Sequence, residues 1–271
     1  MTKTKHHFHL VDPSPWPIAV SFSLLFLSLG IVFYIHSYPY GSYILSFGIL
    51  CILLSVYGWW SDVIKEGLSR HHTKIVRKGL SIGMSLFILS EIMFFFAFFF
   101  SYFSASLFPV GIFDETGLWA TKQGIWPPKG IILINPWDIP LVNTLILLLS
   151  GTTVTWAHYA INEYNKEDTK SALIITIILG FVFSLFQIYE YFHVSFGLKD
   201  GVYAANFYLA TGFHGVHVFI GTMFLLICYI RLINGHFDKG KHHLGFEFAA
   251  WYWHFVDVIW IFLFIFIYVL N

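Results

Sequence analysis

The feature that most constrains this chain is a set of seven long apolar runs, at positions 16–37, 40–60, 79–108, 139–161, 172–196, 203–230 and 246–270. About 20 mostly apolar residues are enough to cross a hydrocarbon layer roughly 30 Å thick, and each run meets that length. Inside lipid every backbone N–H and C=O must be bonded within the protein, so uninterrupted runs of this length are helices; barrel strands are near ten residues and alternate. The expected fold is therefore all-α, a polytopic membrane protein with seven transmembrane helices. The third run has 30 residues, about 45 Å as a helix, and must tilt or project from the bilayer. The first run begins with Trp and Pro and has no small-residue cleavage pattern after it, so it is expected to remain as the first helix and not to be removed as a signal peptide.

Composition narrows the function. Of the 271 residues 57% are apolar, 21% aromatic and 11% charged, well below the roughly 25% charged share of soluble domains. Fifteen basic side chains balance fifteen acidic ones, so no net field attracts nucleic acid, which is not expected as a partner. The charges that exist are placed unevenly. With the N-terminus inside, the inner connections collect twelve of the fifteen Lys and Arg residues, five of them in the second loop (Lys65, Arg70, Lys74, Arg77, Lys78). The positive-inside rule then gives N-in, C-out.

The longest polar break, 61–78, divides the chain into residues 1–78, with the N-terminal tail, two helices and the inner loop, and residues 79–271, with five helices. Both belong to one membrane domain, and a cleft between the two units is expected. No repeat of 20 to 50 residues is visible. The third loop, 109–138, carries Trp119, Trp126, Pro127, Pro128, Pro136 and Trp137, suited to an ordered interfacial loop with indoles at headgroup depth. Cys51 and Cys228 fall inside runs as isolated thiols and are read as small buried hydrophobes.

Charges inside spanning helices are costly and mark candidate sites. Four carboxyls fall within the runs: Glu91, Glu190, Glu247 and Asp257. Glu91 lies mid-helix among Phe94, Phe95 and Phe96, with nothing in its own helix to pair with. It is either a hydrogen-bonded joint across a helix interface or a proton-relay group. Glu190 with His193, His214 with His217, and His254 with Asp257 each stand three apart, on one helix face. Histidines on facing helices can hold a haem or metal; they can equally be interhelical hydrogen bonders, helped by the small Gly212 and Gly215. At the inner boundary Trp60, Glu66 and His72 near the second helix, and Arg231 and His236 near the sixth, suit an anionic lipid headgroup, the alternative being snorkelling.

Three classes remain. A retinal protein would need a lysine in a late helix, and no run contains one. A stand-alone membrane transporter would be expected to show broken helices or inverted repeats, and neither is clear. A noncatalytic subunit of a larger membrane enzyme fits the remaining features.

The stretches His-Leu-Val-Asp-Pro-Ser-Pro-Trp-Pro (9–17), Trp-Trp-Ser-Asp-Val-Ile-Lys-Glu (59–66), Ser-Glu-Ile-Met-Phe-Phe (90–95), Ile-Trp-Pro-Pro (125–128), Thr-Trp-Ala-His (155–158), Ala-Thr-Gly-Phe-His-Gly (210–215) and Trp-Tyr-Trp-His-Phe-Val-Asp (251–257) resemble, in order and along the whole chain, the cytochrome c oxidase subunit III family. The resemblance implies a noncatalytic core subunit of an aerobic respiratory oxidase that reduces oxygen to water and pumps protons. It implies partner subunits I and II that hold the haems and coppers, with other respiratory complexes as possible neighbours. No catalytic residue, metal or cofactor other than bound phospholipid is expected in this chain, and the histidine pairs become structural.

Glu91 matches the family's intramembrane carboxyl, with a stabilising or modulatory role. Trp60, Glu66, His72, Arg231 and His236 match positions near phospholipid headgroups in a lipid-filled cleft between the two units. His6, His7, His9 and Asp12 are placed by the resemblance near a proton-uptake entrance of subunit I. The long segment 111–124 resembles the alphaproteobacterial form, favouring a bacterial plasma (inner) membrane over the alternative, a mitochondrial inner membrane.

Overall fold

The computed structural model describes residues 8–69, 71–109, 126–128, 130–238 and 242–270. Among them are seven helices long and apolar enough to span a membrane: α1 (Trp16–Ile35), α2 (Gly41–Leu68), α3 (Lys74–Leu107), α4 (Ile139–Asn162), α5 (Lys166–His193), α6 (Val202–Ile233) and α7 (Leu244–Leu263), the last continuing as a π-helical turn over Phe264–Val269. The segment 111–124, Trp119, His6, His7, Arg70 and Lys129 lie outside the described residues.

Hydropathy marks where a helix is greasy, and the helices reach further than that. The polar break expected at 61–78 is mostly helical, because α2 runs on to Leu68 and α3 starts at Lys74. Thr73 accepts a hydrogen bond at its Oγ1 from the Val76 N–H (3.4 Å), the N-cap arrangement that satisfies an otherwise orphaned donor. Lys74, Arg77 and Lys78 therefore lie in the first two turns of α3 and not in a loop. Likewise α5 starts six residues before its apolar run, at Lys166. Asn165 caps it by accepting from the Asp168 N–H, and Glu167 and Asp168 complement the helix dipole. Glu247 falls in the first turn of α7, where His243 contacts it at 3.0 Å. It therefore stands near the N-terminal end of the seventh candidate span.

The chain forms two compact units, Met1–Leu80 and Ser81–Asn271. In the first, α1 and α2 form an antiparallel hairpin with backbones in close approach. A Cβ on Gly30 would stand 2.5 Å from the Leu45 backbone, and one on Gly48 would stand 2.6 Å from that of Leu27. Small residues at such crossings let spanning helices gain van der Waals contact in lipid, where no hydrophobic force drives them together. Ser23 and Ser55 meet across the same seam at 3.4 Å, and Trp16 Nε1 donates to Asp62 Oδ2 at 2.7 Å. Most of the remaining surface of both helices is apolar and exposed, apart from the polar last turns of α2.

In the second unit α4, α5, α6 and α7 enclose the core, centred on Trp253 and Trp260. Each indole is satisfied by a helix-four hydroxyl: Trp253 Nε1 donates to Ser150 Oγ and Trp260 Nε1 to Thr144 Oγ1, both at 2.9 Å. Thr153 and Thr176 join α4 to α5 at 2.8 Å. Aromatic side chains join α3 to α6 and α7, with Phe94 against Phe213 and Phe103 against the π-turn Phe266 at ring-centroid distances of 5.0 and 4.9 Å. Trp126 packs against Tyr102 and Tyr203, turned into this unit, whereas Trp137 is exposed. Cys228 is buried and Cys51 only partly so.

Candidate functional site

The intramembrane polar groups come together in pairings different from those spaced along single helices. Glu91 on α3 meets His217 on α6, with 2.8 Å between Oε2 and Nε2. The other ring nitrogen, Nδ1, lies 2.6 Å from the Phe213 carbonyl; a carbonyl only accepts, so Nδ1 carries its hydrogen. One further proton then sits between Nε2 and the carboxyl, giving either imidazolium with carboxylate or neutral imidazole with carboxylic acid. In both forms the pair is neutral overall. That is how a carboxyl is accommodated among Phe94 and Phe95, whose rings flank His217.

Glu190 on α5 does not pair with His193. Its Oε1 accepts from the Tyr268 hydroxyl at 2.7 Å and from Gln187 Nε2 at 3.3 Å, while His193 turns away, donates to the Tyr189 carbonyl at 2.8 Å and stacks on the Tyr189 ring. The cause is the π-turn after α7, which brings Tyr268 to Glu190. His214 and His217 do not act together either. His214 is fully buried among Phe95, Phe183 and Trp260, and neither of its ring nitrogens has a partner among the described residues. Both nitrogens of His217 are engaged, which leaves it no free nitrogen for an axial haem ligand.

His254 and Asp257 stand 3.9 Å apart, beyond hydrogen-bond range. Asp257 faces α4, where a Cβ on Gly151 would meet its Oδ2 at 2.5 Å, and His254 lies 3.4 Å from Thr155 Oγ1. The shortest side-chain bonds of Glu91 and Glu190 come from distant segments, up to 126 residues away, where single-helix spacing carries no signal.

At the polar boundary of the first unit, Glu66 near the end of α2 lies between two imidazoles. Its Oε2 is 3.6 Å from His9 Nε2 and 3.8 Å from His72 Nε2, and the two rings are 5.5 Å apart. Burial and the neighbouring His9 and His71 hold the His72 pKa below the ordinary imidazole value, against the opposing pull of Glu66. Trp60, a turn and a half earlier on α2, is largely exposed, as is Asp12. In the second unit Arg231 closes α6, its guanidinium 4.7 Å over the Phe237 ring and against Gly245. His236 follows, its backbone N–H bonded to the Arg231 carbonyl. A cavity of about 390 Å³ beside this end is lined by Tyr164, Lys166, Thr169, Leu232, Phe237 and Asp238, and Lys166 and Asp238 form an ion pair there.

Seven spanning helices, with Glu91 and Glu190 hydrogen-bonded to side chains from other segments, define a multi-pass α-helical membrane protein. The comparisons with known proteins agree: residues 6–271 match the family model for cytochrome c oxidase subunit III. The chain belongs to that family. It is 60% identical to the probable cytochrome c oxidase subunit 3 of Rickettsia felis, over 99% of this chain and 97% of the relative. It is 53% identical to cytochrome c oxidase subunit 3 of the alga Prototheca wickerhamii over 95% of each, and 52% to that of Arabidopsis thaliana over 95% of this chain and 94% of the relative. These likenesses lend no support to a stand-alone transporter.

Proposed function

We propose that this chain serves as the noncatalytic third core subunit of a cytochrome c oxidase in a bacterial inner membrane, beside subunits I and II, which would hold the haems and coppers. The observation that carries this reading is the family match along residues 6–271, supported by the interhelical hydrogen bonds of Glu91 and Glu190. The chain's own part is then to stabilise subunit I, hold phospholipid and sustain proton uptake. The first unit would offer Trp60, Glu66 and His72 to lipid headgroups, and the second Arg231 and His236. An arginine planted at a helix end over an aromatic ring suits an anionic headgroup, and the exposed apolar helix faces suit acyl chains. The orientation would be N-in, C-out. His9 and Asp12, with His6 and His7, would collect protons on the inner side.

The deciding experiment is affinity purification through a tag on this chain from gently solubilised membranes. Haem- and copper-bearing chains that oxidise cytochrome c are expected in fixed stoichiometry with it. Recovery of this chain alone, with no haem absorbance, would overturn the assignment. Protease removal of an N-terminal tag from inverted vesicles but not from intact spheroplasts tests the orientation.

A further inference from the structure

We infer that His9, Glu66 and His72 form a binding site for a divalent transition-metal ion of the Zn²⁺ type, on the polar boundary of the first unit. One ligand atom from each residue lies within 4.8 Å of the other two, and Glu66 Oε2 stands 3.6 and 3.8 Å from the two imidazole nitrogens. Those separations exceed the roughly 2.7–3.2 Å of a hydrogen bond. They are close to the edges of a coordination tetrahedron, since ligand atoms bonded at about 2.0–2.1 Å to one zinc ion lie about 3.4 Å from each other. A small rotation of the exposed His9 ring closes the remaining gap.

The donor set is chemically apt. Two imidazoles and one carboxylate, with a fourth position left to water, is an established zinc ligand set, and borderline-soft nitrogen donors discriminate against Mg²⁺ and Ca²⁺. Glu66 and His72 are half-buried and held by α2 and by the short connection into α3, whereas His9 is the most exposed of the three. An ion would therefore fasten the segment before α1 to the inner end of α2, and its open coordination position would face the solvent-accessible side of His9.

Nothing in this inference depends on the lipid role proposed for Glu66 and His72. A headgroup phosphate could fill the fourth position, but the three protein ligands do not require it.

The test uses the intact purified oxidase, washed with chelator, and equilibrium dialysis against ⁶⁵Zn²⁺ near pH 7.5. Wild type is expected to take up one ion that His9→Ala and Glu66→Gln complexes bind at least tenfold more weakly, a factor set by what even outer-shell ligand partners contribute. Zinc-edge X-ray absorption of the loaded complex should show nitrogen and oxygen neighbours near 2.0–2.1 Å. His9 lies outside every helix, so its replacement leaves the spans in place, and the haem spectrum confirms an intact complex. Unchanged zinc uptake in the His9→Ala complex would overturn the inference, as would a spectrum with no imidazole scattering.

Discussion

His217 of α6 and Glu91 of α3 share one proton across 2.8 Å, and the Phe213 carbonyl fixes which ring nitrogen faces the carboxyl. This polar contact joins α3 to α6 beside the ring contacts that Phe94 and Phe95 make with the same helix.

Glu91→Gln is expected to keep the joint, because the amide can donate to the bare Nε2 of a neutral His217. Haem and copper content and turnover of the complex should be close to wild type. Glu91→Leu strands a buried imidazole nitrogen and should cost about 1–3 kcal/mol, read as a lower melting temperature or partial loss of this subunit on a sizing column. Loss of haem in the Gln variant would show that the carboxyl does more than join helices.

The Glu190 network makes a similar, sharper case. Its Oε2 has no partner among the described residues, so Oε1 depends on Tyr268 and Gln187. Tyr268→Phe removes the shorter bond while keeping the ring packed on Phe207. A loss of about 1–3 kcal/mol in the stability of this subunit is expected, and Glu190→Gln combined with it should recover part of that loss, because a neutral amide is cheaper to bury than a carboxylate. Thermal unfolding of the single and double variants measures both.

Seven helices were legible in the sequence because lipid forces each apolar run to satisfy its own backbone. Helix ends were not, since the turns at Ser61–Leu68 and Lys166–Ser171 are polar yet helical, and only capping side chains such as Thr73 and Asn165 mark the stops. The ionisable residues inside the spans were legible as individuals. An ionisable group inside a span announces itself by its cost, but its partner is chosen by helix packing: Tyr268 reaches Glu190 from 78 positions away, and His193, three positions away, turns to its own backbone. The resemblance supplied the function because family motifs hold long-range arrangement that periodicity does not.

The α1–α2 seam is expected to be intolerant of volume. Gly48→Val would press a branched side chain into the Leu27 backbone 2.6 Å away, where no rotamer gives relief, costing upward of about 1–3 kcal/mol. Gly83→Ala on α3 meets nothing within 4 Å and should be neutral or slightly stabilising. Limited proteolysis of the two purified complexes distinguishes them: faster cleavage around the short connections flanking α2 is expected only for Gly48→Val.

Lipid retention gives the most direct test of the residues proposed to hold headgroups. His72 and Arg231 are half-buried or held against an aromatic ring, so each is positioned before a headgroup arrives and loses little side-chain freedom on binding. His72→Ala combined with Arg231→Ala removes one cation and one imidazole donor without touching an apolar helix face. Native mass spectrometry of the oxidase should show fewer tightly bound phospholipids. The initial rate of cytochrome c oxidation should stay near wild type while the active life under continuous turnover shortens. Restoring excess phospholipid should lengthen it only in part, since acyl chains can return to the apolar faces but the charge that anchored the headgroup is gone. Unchanged lipid content with an unchanged active life would remove these two residues from the lipid assignment. Lipid loss accompanied by loss of haem would mean that the substitutions act on assembly of the complex and not on a headgroup.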